Sequence, residues 1–254
     1  MIVYCAAAAC AVGVVLVASR LVRRWRGVDD PDPDGPTAGH TGAMLSALFL
    51  LAFAIAIVVP WTTNDAARSN TYAESQAISE AYWSASRLPA PHAQHVQAGL
   101  STYVALVRGP EWKLMEHGRL SPRGQRQLDG LRRDVIAVKA DTDELKDART
   151  SVLGHLTEIS AARGQRAMDA RTTPPPGLLA VTVLTGLAVV LLPFLSGARP
   201  RGATLVPLSL MAALLAAGTY LTVDMSHVFT GALAVRPDAF IGLQAELQRV
   251  AGGG

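Results

Sequence analysis

Four stretches of the chain are apolar over a length that matters structurally: residues 2–19, 41–59, 178–195 and 203–222. A helix rises 1.5 Å per residue, so about twenty residues cover roughly 30 Å, the thickness of a bilayer's hydrocarbon core. RLVRRWRGVDDPDPDGPTAGH separates the first two runs and SGARPRG the last two; both links are short and contain Gly and Pro. The pattern predicts two transmembrane hairpins that bracket a polar middle.

Within that middle the hydrophobic period is helical. Leu145, Ala148, Val152, Leu156, Ile159 and Ala162 recur at spacings of three and four and form one continuous stripe. Asp141 followed by Glu144 is the start signal for that helix, and TPPPG closes the module before the third run. Ser121-Pro122 reads as cap and first residue of a preceding helix striped by Leu128, Leu131, Val135 and Val138. Earlier, a helix over residues 67–87 has Glu74, Ile78, Ala81, Ala85 and Leu88 on one face, with LPAP breaking it. Another follows from His92 towards Val107, disturbed by Gly109-Pro110. No stretch alternates at period two, so the expected fold is all-α. Four transmembrane helices form two hairpins, with a helical soluble module inserted between spans 2 and 3. The expected divisions are hairpin 1 at 1–60, the module at 61–177, hairpin 2 at 178–223 and a C-terminal docking segment at 224–254.

The tail SHVFTGALAVRPDAF is too apolar for an idle end. Gly231 permits a turn, Pro237 fixes φ as a helix begins, and Phe240, Leu243, Leu247 and Val250 repeat at helical spacing. That pattern describes a strap returning along the polar module.

Composition agrees with membrane spans plus a polar domain: of 254 residues half are hydrophobic and 17% charged. The formal charge of +3 is spread over the whole chain, which is too diffuse for nucleic acid. The cysteines, Cys5 and Cys10, both lie in the first run and leave the module without thiols. That run has no basic segment before it; its arginines come after, so an uncleaved helix is expected rather than a signal peptide. Arg20, Arg23, Arg24 and Arg26 follow span 1, and Arg199 and Arg201 sit between spans 3 and 4. By the positive-inside rule both loops are cytoplasmic, which places the module outside in a multi-pass protein of the cell membrane.

Signals for chemistry are sparse. DPDPDG, residues 30–35, has the alternating acids of a calcium loop, but its twelfth position is Thr41 and prolines interrupt it, so it reads as linker. His92 and His95 share a helix face without further ligands and read as surface residues. No nucleophile elbow, phosphate loop or His-Glu-x-x-His occurs, and neither an enzyme nor a metal or cofactor is expected. The spans contain no charged residue, which disfavours a proton- or sodium-coupled transporter and leaves a passive pathway open. Phe49, Phe53 and Ile57 form a bulky stripe on span 2, opposite Ala43 and Ala47, and make either a lipid-facing surface or an apolar constriction. Arg163, Arg166 and Arg171, just before span 3, are either solvated helix-end cations or an anion-attracting rim.

Several of these residues carry a resemblance. Glu74, Ala77, Ile78, Ala81, Tyr82 and Leu88-Pro89, then Tyr103, Val107, Glu111-Trp112, Met115, Gly118 and Ser121-Pro122, then Arg163 and Arg166, and finally Phe229, Gly231, Val235, Pro237, Ala239 and Phe240 follow one pattern. The chain resembles the bacterial bestrophin-like membrane family, distantly grouped with the bestrophin anion channels, over nearly everything after span 1. It departs from that pattern at Ser226 and Val228, where the family has Asp and Pro, and Asp224 lies two residues early. The resemblance implies a homo-oligomer in the lipid bilayer that passes small anions. Bestrophins proper are pentamers with an apolar neck on span 2, a calcium clasp that has no counterpart here, and a cytosolic module, opposite to the orientation the loop arginines give. The alternative function is a membrane-anchored sensor or scaffold whose helical module binds a ligand or partner.

Overall fold

The computed structural model describes residues 36–173, 176–195 and 205–252, together with Cys10, Gly13, Leu16, Val17, Arg20, Leu21 and Arg24. Most of the first run, the DPDPDG linker, Arg23, Arg26, and the second loop with Arg199 and Arg201 lie outside the described residues.

Among the described residues the regular structure is entirely helical. In chain order the helices are α1 (Pro36–Ala85), α2 (His92–Leu106), a π-helical turn (Val107–Glu111), α3 (Trp112–Met115), α4 (Pro122–Ile136), α5 (Asp143–Asp169), α6 (Pro176–Leu195), α7 (Leu205–Asp224) and α8 (Asp238–Gly252). Where separate helices are expected over 41–59 and 67–87, the structure has one, α1, with Pro60 inside it. Proline deletes one backbone donor, but nothing between Trp61 and Ala85 breaks the helix again. Thr62 Oγ1 also lies 3.0 Å from the carbonyls of both Val58 and Val59, supplying a side-chain donor beside the proline.

The chain divides into two compact units: residues 1–62 with 173–226, and residues 63–172 with 227–254. In the first, Val190, Phe194 and Ala212 of α6 and α7 form a small apolar core, joined by Leu208, Met211 and Leu215. Phe49 and Phe53 of α1 stack with centroids 5.4 Å apart. Phe49 lies over Gly186, where an added Cβ would fall 3.2 Å from the ring, and Phe53 covers Gly218 more closely still. Among the described residues, one helix is long and apolar enough to cross a membrane, the 37-residue stretch Phe49–Ala85 of α1. Shorter apolar helices run over Ala180–Leu191 and Leu208–Asp224.

The second unit is a helical bundle with one continuous core. Ala93, Val96, Leu100 and Tyr103 of α2, Leu128, Leu131 and Val135 of α4, and Ala148, Val152, Leu156 and Ile159 of α5 are all buried in it. Ser121 Oγ caps α4 by accepting from Arg123 N at 3.2 Å, with Pro122 next, as the sequence predicts. The cap of α5 is Thr142, not Asp141; its hydroxyl accepts from Leu145 N at 3.3 Å. Residues 227–254 belong to this bundle, and Val228, Phe229, Val235, Phe240, Leu243 and Leu247 enter the same core. Gly231, at φ 102°, makes the turn that lets Val235 N donate to Val228 O at 2.8 Å. Pro237 O then accepts from Ile241 N at 2.9 Å at the start of α8.

Candidate functional site: a buried cluster of two carboxylates and two guanidinium groups

The interior of the bundle is not wholly apolar. Glu74, Glu111 and Arg166 are fully buried and Arg163 nearly so, at 4% exposure. Three elements deliver them. Glu74 lies on the inner face of α1 one turn before Ile78, and Arg163 and Arg166 continue the α5 stripe at the spacing set by Leu156 and Ile159. Glu111 closes the π-helical turn that contains Gly109 and Pro110. A proline interior to a regular α-helix loses a hydrogen bond and crowds the preceding turn, and the wider π turn accommodates it. Both ends of that turn, Val107 and Glu111, face inward as a result.

The groups interlock. Arg166 Nε donates to Glu74 Oε2 at 2.6 Å, and its Nη2 donates to Glu74 Oε1 and Glu111 Oε1, each at 3.0 Å. Arg163 holds Glu111 in a bidentate pair through both terminal nitrogens, with Nη2 to Oε2 at 2.9 Å, and Nη2 also donates to Ser121 O at 2.6 Å. Tyr103 OH donates to Glu74 Oε1 at 2.6 Å, and Ser121 N donates to Glu111 Oε2 at 3.2 Å. Arg166 Nη1 reaches Met115 Sδ at 2.8 Å. Two negative and two positive charges cancel. Among the described residues, the buried side-chain polar atoms that lack a partner are Asn64 Oδ1 and Gln244 Oε1, neither of them in the cluster.

Electrostatics follow from this geometry. Burial, then the Glu74 charge, push the Tyr103 phenol well above its ordinary value, so it stays a donor. Burial alone would lower the pKa of Arg166, but Glu74, the Tyr103 contact and Glu111 outweigh it and hold it above the usual arginine value. Arg163 is raised in the same sense, with its bonds to Glu111 overcoming burial.

Aromatic rings cover the cluster. Phe240, fully buried, lies with its centroid 5.6 Å from Arg166 Cζ, and Tyr103 lies 5.9 Å from Arg163 Cζ. Trp112 meets Phe229 edge to face at 5.5 Å and Phe240 at 6.0 Å. Val235 is buried and Pro237 half-buried close by in sequence. Gly124 lets α4 approach: a Cβ there would fall 2.6 Å from Arg163 Nη1.

Residues scattered over 167 positions of sequence, Glu74 to Phe240, thus meet in one place. The profile of the bestrophin-like domain matches residues 5–240. The chain belongs to the bestrophin-like family. Comparison with curated proteins and with solved structures returned no match.

For this bestrophin-like chain two expectations about site residues change. Arg163 and Arg166 are neither solvated helix-end cations nor a rim that attracts anions, because both are buried and neutralised by Glu74 and Glu111. Arg171 differs from them: it is exposed, and its Nε donates to Gly118 O at 3.2 Å. Phe49 is buried and Phe53 half-buried against glycines of the chain's own α6 and α7, so these two rings are committed within one copy. Ile57 is half-buried. The sequence signal that identifies the cluster is the interruption of two core stripes by charges of opposite sign.

Proposed function

We propose that this bestrophin-like protein is a multi-pass cell-membrane protein that assembles as a homo-oligomer and passes small anions, with its helical bundle as a rigid, non-catalytic platform. In this reading the four apolar runs pair as two hairpins, and the loop arginines place the bundle outside the cytoplasm. The observation that carries it is the uncovered side of α1. Leu51, Ile55 and Val58, spaced four and three apart, are 45–60% exposed while the opposite side of the helix is committed to Gly186 and Gly218. Such a stripe is unfavourable in water, but in a bilayer it meets lipid or the same helix of another copy. Family membership supports a channel kind of function, and the path is assigned to α1 faces meeting between copies.

The closed ionic cluster supports a second reading, a membrane-anchored sensor or scaffold. Its carboxylate oxygens are all engaged and its charge is balanced, which suits a fixed frame for a ligand- or partner-binding surface. The test is Ile55→Cys in a background lacking Cys5 and Cys10, oxidised in native membranes and followed by chloride efflux from liposomes. Covalent dimers together with efflux support the channel; dimers without efflux favour the scaffold, and the absence of any cross-link removes the α1 interface.

A further inference from the structure

Chain reach places one exposed arginine close to the bilayer. Four residues separate Arg171 from Pro176, the first residue of apolar α6. At no more than about 3.6 Å per residue, that link spans at most ~18 Å. With α6 in the membrane, a reading on which this inference rests, Arg171 is a juxtamembrane cation. It does not stand alone. Its Nε holds Gly118 O, and Gly118, at φ 67°, lies so close that an added Cβ would fall 3.3 Å from Ala170 O and 3.7 Å from Arg171 Cγ. The turn after α3 therefore rests on the end of α5 and brings Arg119 alongside, its own amide fixed to Leu114 O at 3.1 Å.

Both arginines are exposed, and neither makes an ion pair among the described residues. Arg171 uses Nε on a carbonyl and keeps its two terminal nitrogens for another acceptor. The buried carboxylate of Asp169 is occupied elsewhere, by Asn70 Nδ2 at 2.8 Å and Gln165 Nε2 at 3.0 Å. On the exposed turn Glu116 is the single acid between Trp112 and Arg123. Thus Arg163 and Arg166 of α5 are neutralised inside, and Arg171, two residues past its end, is left charged outside against the turn that carries Arg119. The geometry points to Arg119 and Arg171 as a pair that binds the headgroups of anionic phospholipids where α6 enters the bilayer. A planar guanidinium matches a phosphate bidentately, and two at one surface outcompete zwitterionic lipid by adding charge.

The test uses the full chain in nanodiscs of phosphatidylcholine with about one quarter phosphatidylglycerol, with the retained lipids counted by native mass spectrometry. Each arginine near an anionic surface should contribute about a fivefold preference, so Arg119→Gln with Arg171→Gln should lower phosphatidylglycerol retention by well over tenfold. Arg87→Gln with Lys139→Gln, two exposed cations elsewhere on the bundle, should leave it unchanged. Unaltered retention in the first pair, or equal loss in the second, overturns the inference. Displacement of phosphatidylglycerol by inorganic phosphate as readily in the parent as in the variant also overturns it, in favour of a free-anion site. Carbonate extraction of the parent from native membranes separates the two levels: a protein released by carbonate fails the membrane reading itself, whereas an integral protein indifferent to phosphatidylglycerol fails this inference alone.

Discussion

Replacing Glu74 by Gln removes one charge from the cluster with almost no change in shape. Glu74 accepts three charge-assisted bonds, from Arg166 Nε and Nη2 and from Tyr103 OH, and they fall on both carboxylate oxygens. Whichever way the new amide turns, its NH2 faces a guanidinium N–H. Arg166 keeps its bond to Glu111, but the cluster is left with a net positive charge where exposure is zero. Breaking a buried pair costs about 3–5 kcal/mol, and the surviving Glu111 contact puts the estimate near 3. For a chain of this size that corresponds to a fall in Tm of about 6–12 °C, read by near-UV circular dichroism of the full chain in mild detergent. Removing both partners, as Glu74→Leu with Arg166→Met, leaves Glu111 and Arg163 as a neutral pair. The double variant should therefore lose less than the sum of the singles by about 2 kcal/mol. A Glu74→Gln protein that melts within about 2 °C of the parent, or singles that simply add, would refute the reasoning.

Alkaline pH offers an independent probe of the same cluster. The Tyr103 pKa is raised in the folded chain, so its contribution is fully present below the unfolded value of 10.0 and is lost as pH rises towards the folded one; the Tyr103→Phe variant should lack a limb of about 1 kcal/mol per pH unit above pH 10 in urea titrations. Gly124→Ala should lower Tm by several degrees, because the Arg163 guanidinium it would strike at 2.6 Å is pinned by Glu111; a neutral result would show that the guanidinium shifts freely. Phe240→Ala empties a fully buried ring site beside Arg166 and Trp112 and should cost about 3 kcal/mol or more; an unchanged Tm would mean that residues 227–254 contribute nothing to the bundle.

The helical periods were legible because packing obeys them. Leu128, Leu131 and Val135, and likewise Val152, Leu156 and Ile159, are buried as their spacing requires. Ser121-Pro122 starts its helix and Gly231 makes its turn for reasons internal to each residue. Pro60 misleads in the other direction: it resembles a helix end, yet α1 continues because a single missing donor is a local loss that flanking turns outweigh. The cluster was half legible. Glu74 already belongs to an expected core stripe, whereas Arg163 and Arg166, expected as solvated cations or an anion-attracting rim, instead extend the α5 stripe and are buried. Their partners were not readable, because Glu111 reaches the site only through a π turn and lies 52 residues from Arg163 in sequence. Bulky spacing alone also could not say that Phe49 and Phe53 seat on glycines more than 130 residues away, since close approach of two helices is a tertiary fact.

The proposed function rests on anions crossing between copies of α1, and a single measurement addresses it most directly: the reversal potential of the purified full-length protein in planar bilayers under a potassium chloride gradient. An anion-permeable assembly predicts current that reverses near the chloride equilibrium potential. Inserted oligomers that pass no current, or a reversal near the potassium potential, would contradict it.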